Sequence, residues 1–167
     1  MAGSSYIPED TGKAKKILFV CTANVCRSPM AEHLFAQSLS KANLDNKFEV
    51  SSAGLSAMDG DKASQNSIGA CKEIGLDISE HRSNALTRAS MQEAKVIFCM
   101  TESHRALLNM YFELPQGYPV FLMREFLEHG SRELPDPFGQ DIEVYRDCRD
   151  HMVEAIPSLV DWVEKNL

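Results

Sequence analysis

The segment Cys21-Thr22-Ala23-Asn24-Val25-Cys26-Arg27-Ser28-Pro29 sets a thiol and a guanidinium five residues apart, with a hydroxyl directly after the guanidinium. Five intervening residues let a loop curl until its amide hydrogens converge on one point, where a tetrahedral oxyanion can sit. If a helix starts at the end of the loop, its N-terminus adds positive potential. Arg27 would close the ring with a planar, two-pronged grip on two oxygens. The same field favours the thiolate of Cys21, which is the form able to attack phosphorus. The pattern alone is weak, because Cys99 and Arg105 repeat it. There, Glu102 would set a carboxylate beside the anion, and Ala106 stands where the first copy has Ser28. The Cys21 loop is therefore the candidate.

Transfer to a thiolate also needs a proton for the leaving oxygen, then a base for the attacking water. Leu134-Pro135-Asp136-Pro137-Phe138-Gly139 supplies a carboxyl group between two prolines, in a stiffened loop. By itself an Asp-Pro pair reads as a turn or a helix cap. Beside the Cys21 loop it reads as the acid.

The elements around these residues follow from hydrophobic periodicity. Ile17–Val20 is a continuous apolar run, the signature of a strand buried on both faces. Met30, Leu34, Phe35 and Leu39 then fall on one helical stripe, with Pro29 suited to a first turn. Further strands are predicted over Phe48–Ser52, Val96–Met100 and Pro119–Leu122. Helices are predicted over Lys62–Ile74, Glu102–Met110 and Ile142–Val163, with Pro157 expected to kink or restart the last. Strand–helix alternation predicts an α/β fold: one three-layer domain, a parallel sheet with helices on both faces. Ligands bind such sheets beyond the carboxyl ends of the strands, where Cys21 falls.

Residues 1–14 are polar and turn-rich and are read as a mobile tail, leaving 15–167 as the single domain. The net charge of −7 argues against nucleic acid or an anionic membrane as the main partner. No apolar stretch approaches the length of a membrane span, and nothing at the N-terminus resembles a secretory signal. Five cysteines, an odd number set in apolar patterns, fit reduced thiols and a cytoplasmic location.

Together, the loop with Ser28 and the distant Asp136-Pro137 resemble the low-molecular-weight protein tyrosine phosphatases, over about Lys16 to Leu167. Ser51-Ser52-Ala53-Gly54 and His81-Arg82-Ser83 are similar to segments that brace the loop in that family. The resemblance implies four parallel strands in flavodoxin-like order 2-1-3-4, and a monomer acting on a phosphorylated protein with no metal or organic cofactor. It implies that Cys21 attacks, that Arg27 and the amides of Thr22, Ala23, Asn24, Val25 and Cys26 bind phosphate, and that Asp136 is acid then base. Ser28 would hydrogen-bond the thiolate, and Asn24 would hold a strained loop through Ser52 and His81. Cys26 lies close enough in sequence to Cys21 for a reversible disulfide that would protect the nucleophile.

The substrate reading turns on Val25, Met58 and Phe138. In the similar protein-arginine phosphatases the position of Val25 is Thr, whose hydroxyl can partner a guanidinium. Val25 lacks that hydroxyl, and Phe138 can stack on a phenyl ring, which favours phosphotyrosine. Met58 is a candidate second wall. Cys-Thr-x-Asn and Asp136-Pro137-Phe138-Gly139 look more like the arginine subgroup, so protein-arginine phosphatase is the alternative. Thiol-linked arsenate reductases share the loop, but need a relay of paired cysteines; Cys71 and Cys99 are far apart and read as core. A phosphoprotein-binding module would lack one of Cys21, Arg27 and Asp136, and all three are present.

Overall fold

The computed structural model describes residues 12–167, so most of the tail expected over residues 1–14 lies outside the described residues. The chain alternates β1 (Lys15–Cys21), α1 (Arg27–Lys41), β2 (Phe48–Gly54), α2 (Gln65–Lys72), α3 (Arg88–Glu93), β3 (Ala94–Cys99), α4 (Glu102–Phe112), β4 (Val120–Leu122) and α5 (Ile142–Asn166). The four strands form one sheet in the order β2-β1-β3-β4, with every neighbouring pair parallel. β1 is therefore central. Its alternate residues go to opposite sides: Ile17, Phe19 and Cys21 join the core with α1 and α5, whereas Leu18 and Val20 pack with Met91 of α3 and Leu108 of α4. That period of two puts the Cys21 side chain on the face covered by α1, under the loop that joins them.

α1 buries Met30, Leu34, Phe35 and Leu39. α5 buries Tyr145, Cys148, Met152, Ile156, Leu159 and Val163. Pro157 does not restart α5, which runs as one helix from Ile142 to Asn166. The carbonyl it leaves without an amide donor is that of Val153, and both residues are exposed, so water can serve it. α2 is shorter than the periodicity predicts because Ser64 caps it, accepting the Ser67 amide hydrogen. The six-residue α3 escaped sequence reading. It buries only Met91, too little for a periodic signal, and rests instead on a Thr87–Ser90 capping box.

Candidate active site

The strand ends at Cys21 and the helix begins at Arg27, so residues 22–26 must turn through the crevice between β1 and β3, where strand order reverses. Neighbouring segments hold the loop's carbonyls from outside. Leu55 and Ser56 donate backbone N–H groups to the Cys21 and Thr22 carbonyls, both at 2.9 Å, and Ser64 donates to Val25 at 2.8 Å. His81 Nε2 donates to the Asn24 carbonyl at 3.0 Å, and Ser67 Oγ donates to that of Cys26 at 3.2 Å. In a trans peptide the N–H points opposite to the carbonyl. Outward carbonyls therefore turn the following amides inward, toward one another. Among the described residues, no amide of Ala23–Cys26 donates to a protein acceptor outside the regular elements. The start of α1 adds its own amides, because Cys26 at the N-cap provides no side-chain cap. The loop is an anion cradle.

Asn24 makes this turn feasible. Its φ of 58° is left-handed, which Asn tolerates better than most residues, and its side chain is fully engaged. Nδ2 donates to Ser28 Oγ at 2.7 Å and to Ser52 Oγ at 2.9 Å, while Oδ1 accepts the Asn84 amide hydrogen at 2.8 Å. Since Ser28 Oγ accepts from Asn24, its own hydrogen is left for Cys21 Sγ, 2.9 Å away. Ser52 donates in turn to Glu32 Oε2 at 2.5 Å, and Glu32 lies 3.7 Å from His81 Nδ1. Burial raises the Glu32 pKa and lowers that of His81. Glu32, His33 and His81 each present a ligand atom within 4.8 Å of the others and could hold a divalent ion. Glu32 and His81 are, however, already committed to Ser52 and Asn24.

Arg27 is 3% exposed and reaches across the mouth of the loop. Nη1 donates to the Leu134 carbonyl at 3.0 Å, and Nη2 lies 3.4 Å from Thr22 Oγ1 and 3.6 Å from Asp136 Oδ2. Its Nε is buried without a protein acceptor, a donor that the fold itself does not use. The Asp136 carboxyl group is half-exposed, with Oδ1 accepting the Phe138 amide hydrogen at 3.1 Å. Leu134, whose amide donates to the Met100 carbonyl at 2.9 Å, ties this loop to the end of β3. Cys21, Thr22, Ala23, Val25, Cys26, Arg27, Asp136 and Phe138 line one cleft of about 180 Å³. Met58 is not in that lining and is 75% exposed. Cys26 Sγ lies 3.4 Å from the buried Tyr145 hydroxyl, whose pKa burial pushes up to about 12.

The second Cys-x5-Arg segment forms nothing comparable. Arg105 is spent on Glu102 at 2.6 Å and Glu125 at 3.1 Å, and burial pushes the Cys99 thiol up to about 12. The segment nevertheless supplies His104, which sequence reasoning passed over. Its Nε2 lies 3.0 Å from Thr22 Oγ1, joining α4 to the cradle. The signal available was position: His104 follows the strand that borders β1, three residues after the Thr101 cap. The Leu134 carbonyl and the amides of Leu55, Ser56 and Ser64 that hold the loop's carbonyls had no sequence signal, because backbone groups carry no residue type.

A parallel sheet with a thiol at the end of its central strand, an amide cradle and a buried guanidinium defines a cysteine-dependent phosphate-handling enzyme. Residues 16–167 match the family model described as low molecular weight phosphotyrosine protein phosphatase. The chain belongs to that family. Among similar proteins, a protein-arginine-phosphatase of Bacillus subtilis is 33% identical over 90% of this chain and 97% of its own length. A low molecular weight protein-tyrosine-phosphatase of Acinetobacter johnsonii is 32% identical over 90% of this chain and 96% of its own. A solved Cys-to-Ser mutant of the YwlE arginine phosphatase, with a phosphorylated active-site serine, superposes with a TM-score of 0.81. It is 32% identical, over 90% of this chain and 97% of that one.

Proposed function

We propose that this enzyme hydrolyses phosphotyrosine on protein substrates through a cysteinyl-phosphate. The observation that carries the reading is Arg27: a buried guanidinium with an unpartnered Nε, standing over inward amides and Cys21. Cys21 Sγ attacks phosphorus, the S–P bond forms, and the ester P–O bond breaks as Asp136 gives its proton to the leaving oxygen. Asp136 then takes a proton from water, whose oxygen attacks phosphorus; the S–P bond breaks and phosphate leaves. Ser28 donates to the thiolate as it departs. Arg27 and the amides meet the charge that spreads over the equatorial oxygens, without having to reorganise.

The cleft lining favours an aryl group. Val25 and Phe138 are apolar walls, and Asp136 is the sole carboxylate in the lining. A guanidinium would have only the general acid to pair with. Phosphoarginine is the second reading, favoured by the similarity to protein-arginine-phosphatases from Bacillus subtilis and Geobacillus stearothermophilus. Arsenate reduction would need an outward thiol relay. Cys71, Cys99 and Cys148 are buried, with thiols pushed up to about 12, which supports hydrolysis instead. The five free cysteines and the −7 charge suit a monomer in the cytoplasm, away from nucleic acid and membrane.

The deciding experiment compares kcat/KM on one peptide carrying phosphotyrosine or phosphoarginine, with Cys21→Ser as the blank. Preference for phosphotyrosine is expected. Preference for phosphoarginine would overturn the substrate while leaving the Cys21 chemistry intact. The same site also supports redox protection. Peroxide converts the Cys21 thiol to a sulfenic acid with release of water, and the Cys26 thiol displaces a second water to form the disulfide. Intact mass after peroxide should fall by two hydrogens in the wild type but not in Cys26→Ala; an unchanged wild-type mass would refute the bond.

A further inference from the structure

We infer that Thr22 contributes a substrate-contacting hydroxyl to this cleft and that His104 is the positioning residue that aims it. The inference rests on the phosphatase reading above and adds a polar contact to it. His104 is buried behind the loop, and its Nδ1 accepts the Met100 amide hydrogen at 3.3 Å. A nitrogen that accepts cannot carry the proton, so the proton of the neutral ring is on Nε2. Burial keeps the ring neutral, and the neighbouring Arg27 cation adds to that effect. Nε2 therefore donates to Thr22 Oγ1, 3.0 Å away. Arg27 Nη2, a donor in every state, approaches the same oxygen at 3.4 Å.

Two donors on one hydroxyl occupy its two lone pairs and leave only its hydrogen. That hydrogen must point away from both. Thr22 lines the cleft together with Cys21 and Asp136, and its backbone carbonyl is occupied by the Ser56 amide at 2.9 Å. Two kinds of acceptor face that hydrogen in the cleft: Asp136 Oδ2, which stands 3.6 Å from Arg27 Nη2, and the oxygens of a bound phosphoryl group, which carry the greater charge. A free threonine hydroxyl would sample three rotamers, but this one is set before substrate arrives, so its hydrogen bond costs little ordering. The imidazole thus acts through Thr22 and touches no substrate itself. It also links the end of β3 to the cradle built on β1.

The test measures kcat, KM and the inhibition constant for orthovanadate in wild type, Thr22→Val, Thr22→Ser, His104→Ala and the Thr22→Val/His104→Ala double variant. Melting temperatures are recorded alongside. Thr22→Val keeps the shape and loses the hydroxyl. It is expected to lower kcat/KM about 10–100-fold, the range for a hydrogen bond to a charged group, and to weaken vanadate. Thr22→Ser should restore activity to within about threefold of wild type, taking the same hydrogen bond from His104. His104→Ala should lower kcat/KM too, and the double variant should fall no further than Thr22→Val, because both act through one group. If His104→Ala fails to fold, the Thr22→Val and Thr22→Ser pair decides alone. An active wild type matched by Thr22→Val, or a Thr22→Ser no better than Thr22→Val, overturns the inference by itself. A wild type inactive on both phosphopeptides overturns the phosphatase reading, and this inference with it.

Discussion

Asp136 shows how a residue of ordinary exposure becomes chemically specific. Its carboxylate is half in water, yet one oxygen is tied to the Phe138 amide and the other stands 3.6 Å from Arg27. The turn fixes its direction, and Pro137 is buried beneath it. Asp136→Asn keeps this Asx turn, since the amide oxygen can still accept, but cannot give up a proton as an acid. Its kcat is therefore expected to fall about 10²–10⁴-fold, the usual contribution of a placed acid–base group. The orthovanadate inhibition constant should move by less than about threefold. A parallel collapse of both would mean that Asp136 holds the cradle rather than the proton. Cys21 differs in kind: it is buried, and the Ser28 hydroxyl that meets its sulfur already accepts a hydrogen bond from Asn24. The proposed nucleophile is thus a two-residue device.

At the scale of elements, the loop is shaped less by its own residues than by the ends of β2 and β3. Gly54, the last residue of β2, packs against the loop so closely that an added Cβ would lie 2.6 Å from the Thr22 carbonyl oxygen and 2.9 Å from the Ala23 carbonyl carbon. These are backbone atoms of the cradle and cannot swing aside. Gly54→Ala is expected to reduce kcat/KM at least about 10-fold through loop displacement, with no catalytic group removed. A crystal structure of the variant would show the Thr22–Ala23 peptide shifted. Wild-type kinetics would mean that the loop absorbs the clash without changing the amide ring. Gly54 also receives the Ala85 bridge and donates its own amide to the Asn84 carbonyl at 2.9 Å. The segment carrying His81 and Asn84 is thereby registered against the same strand end that presses on the cradle.

At the scale of the whole molecule, the site makes stability depend on pH. His104 has its pKa lowered from 6.5 to about 4, first by burial and then by Arg27. The unfolded chain therefore takes up a proton between about pH 6.5 and pH 4 that the folded chain refuses. The contribution of His104 is fully present above about pH 6.5, falls as pH drops through this window, and is gone below about pH 4. The shift is worth about 3 kcal/mol at full extent. Burial lowers His33 and His81 in the same sense, whereas the raised Glu32 works against them. Urea midpoints taken from pH 7 to pH 4 should show the decline, and His104→Asn should flatten it. An equal slope in the variant would assign the effect to other groups.

The sequence by itself determined the alternation of elements and singled out the groups proposed to react. An apolar run ending in cysteine, a helical stripe starting just past Arg27, and a carboxyl between prolines are local patterns. Local patterns survive in one dimension because a strand's burial and a helix's stripe depend only on spacing along the chain. Met30, Leu34, Phe35 and Leu39 read as one buried stripe for that reason, and so they are. Pro157 does not restart α5, because the cost of a proline there depends on whether water reaches the Val153 carbonyl, which is a tertiary fact. Met58 was drawn toward the cleft by its place after β2, yet the fold leaves it outside the lining. The tertiary structure alone decided which way the loop's peptides face, because those hydrogen bonds come from Leu55, Ser56, Ser64, Ser67 and His81, all distant along the chain. It alone brought His104 from a segment that looked like a failed copy of the motif to the hydroxyl of Thr22, 82 residues away in sequence. A hydrogen bond needs an angle and about 3 Å of separation, and neither is written in residue types.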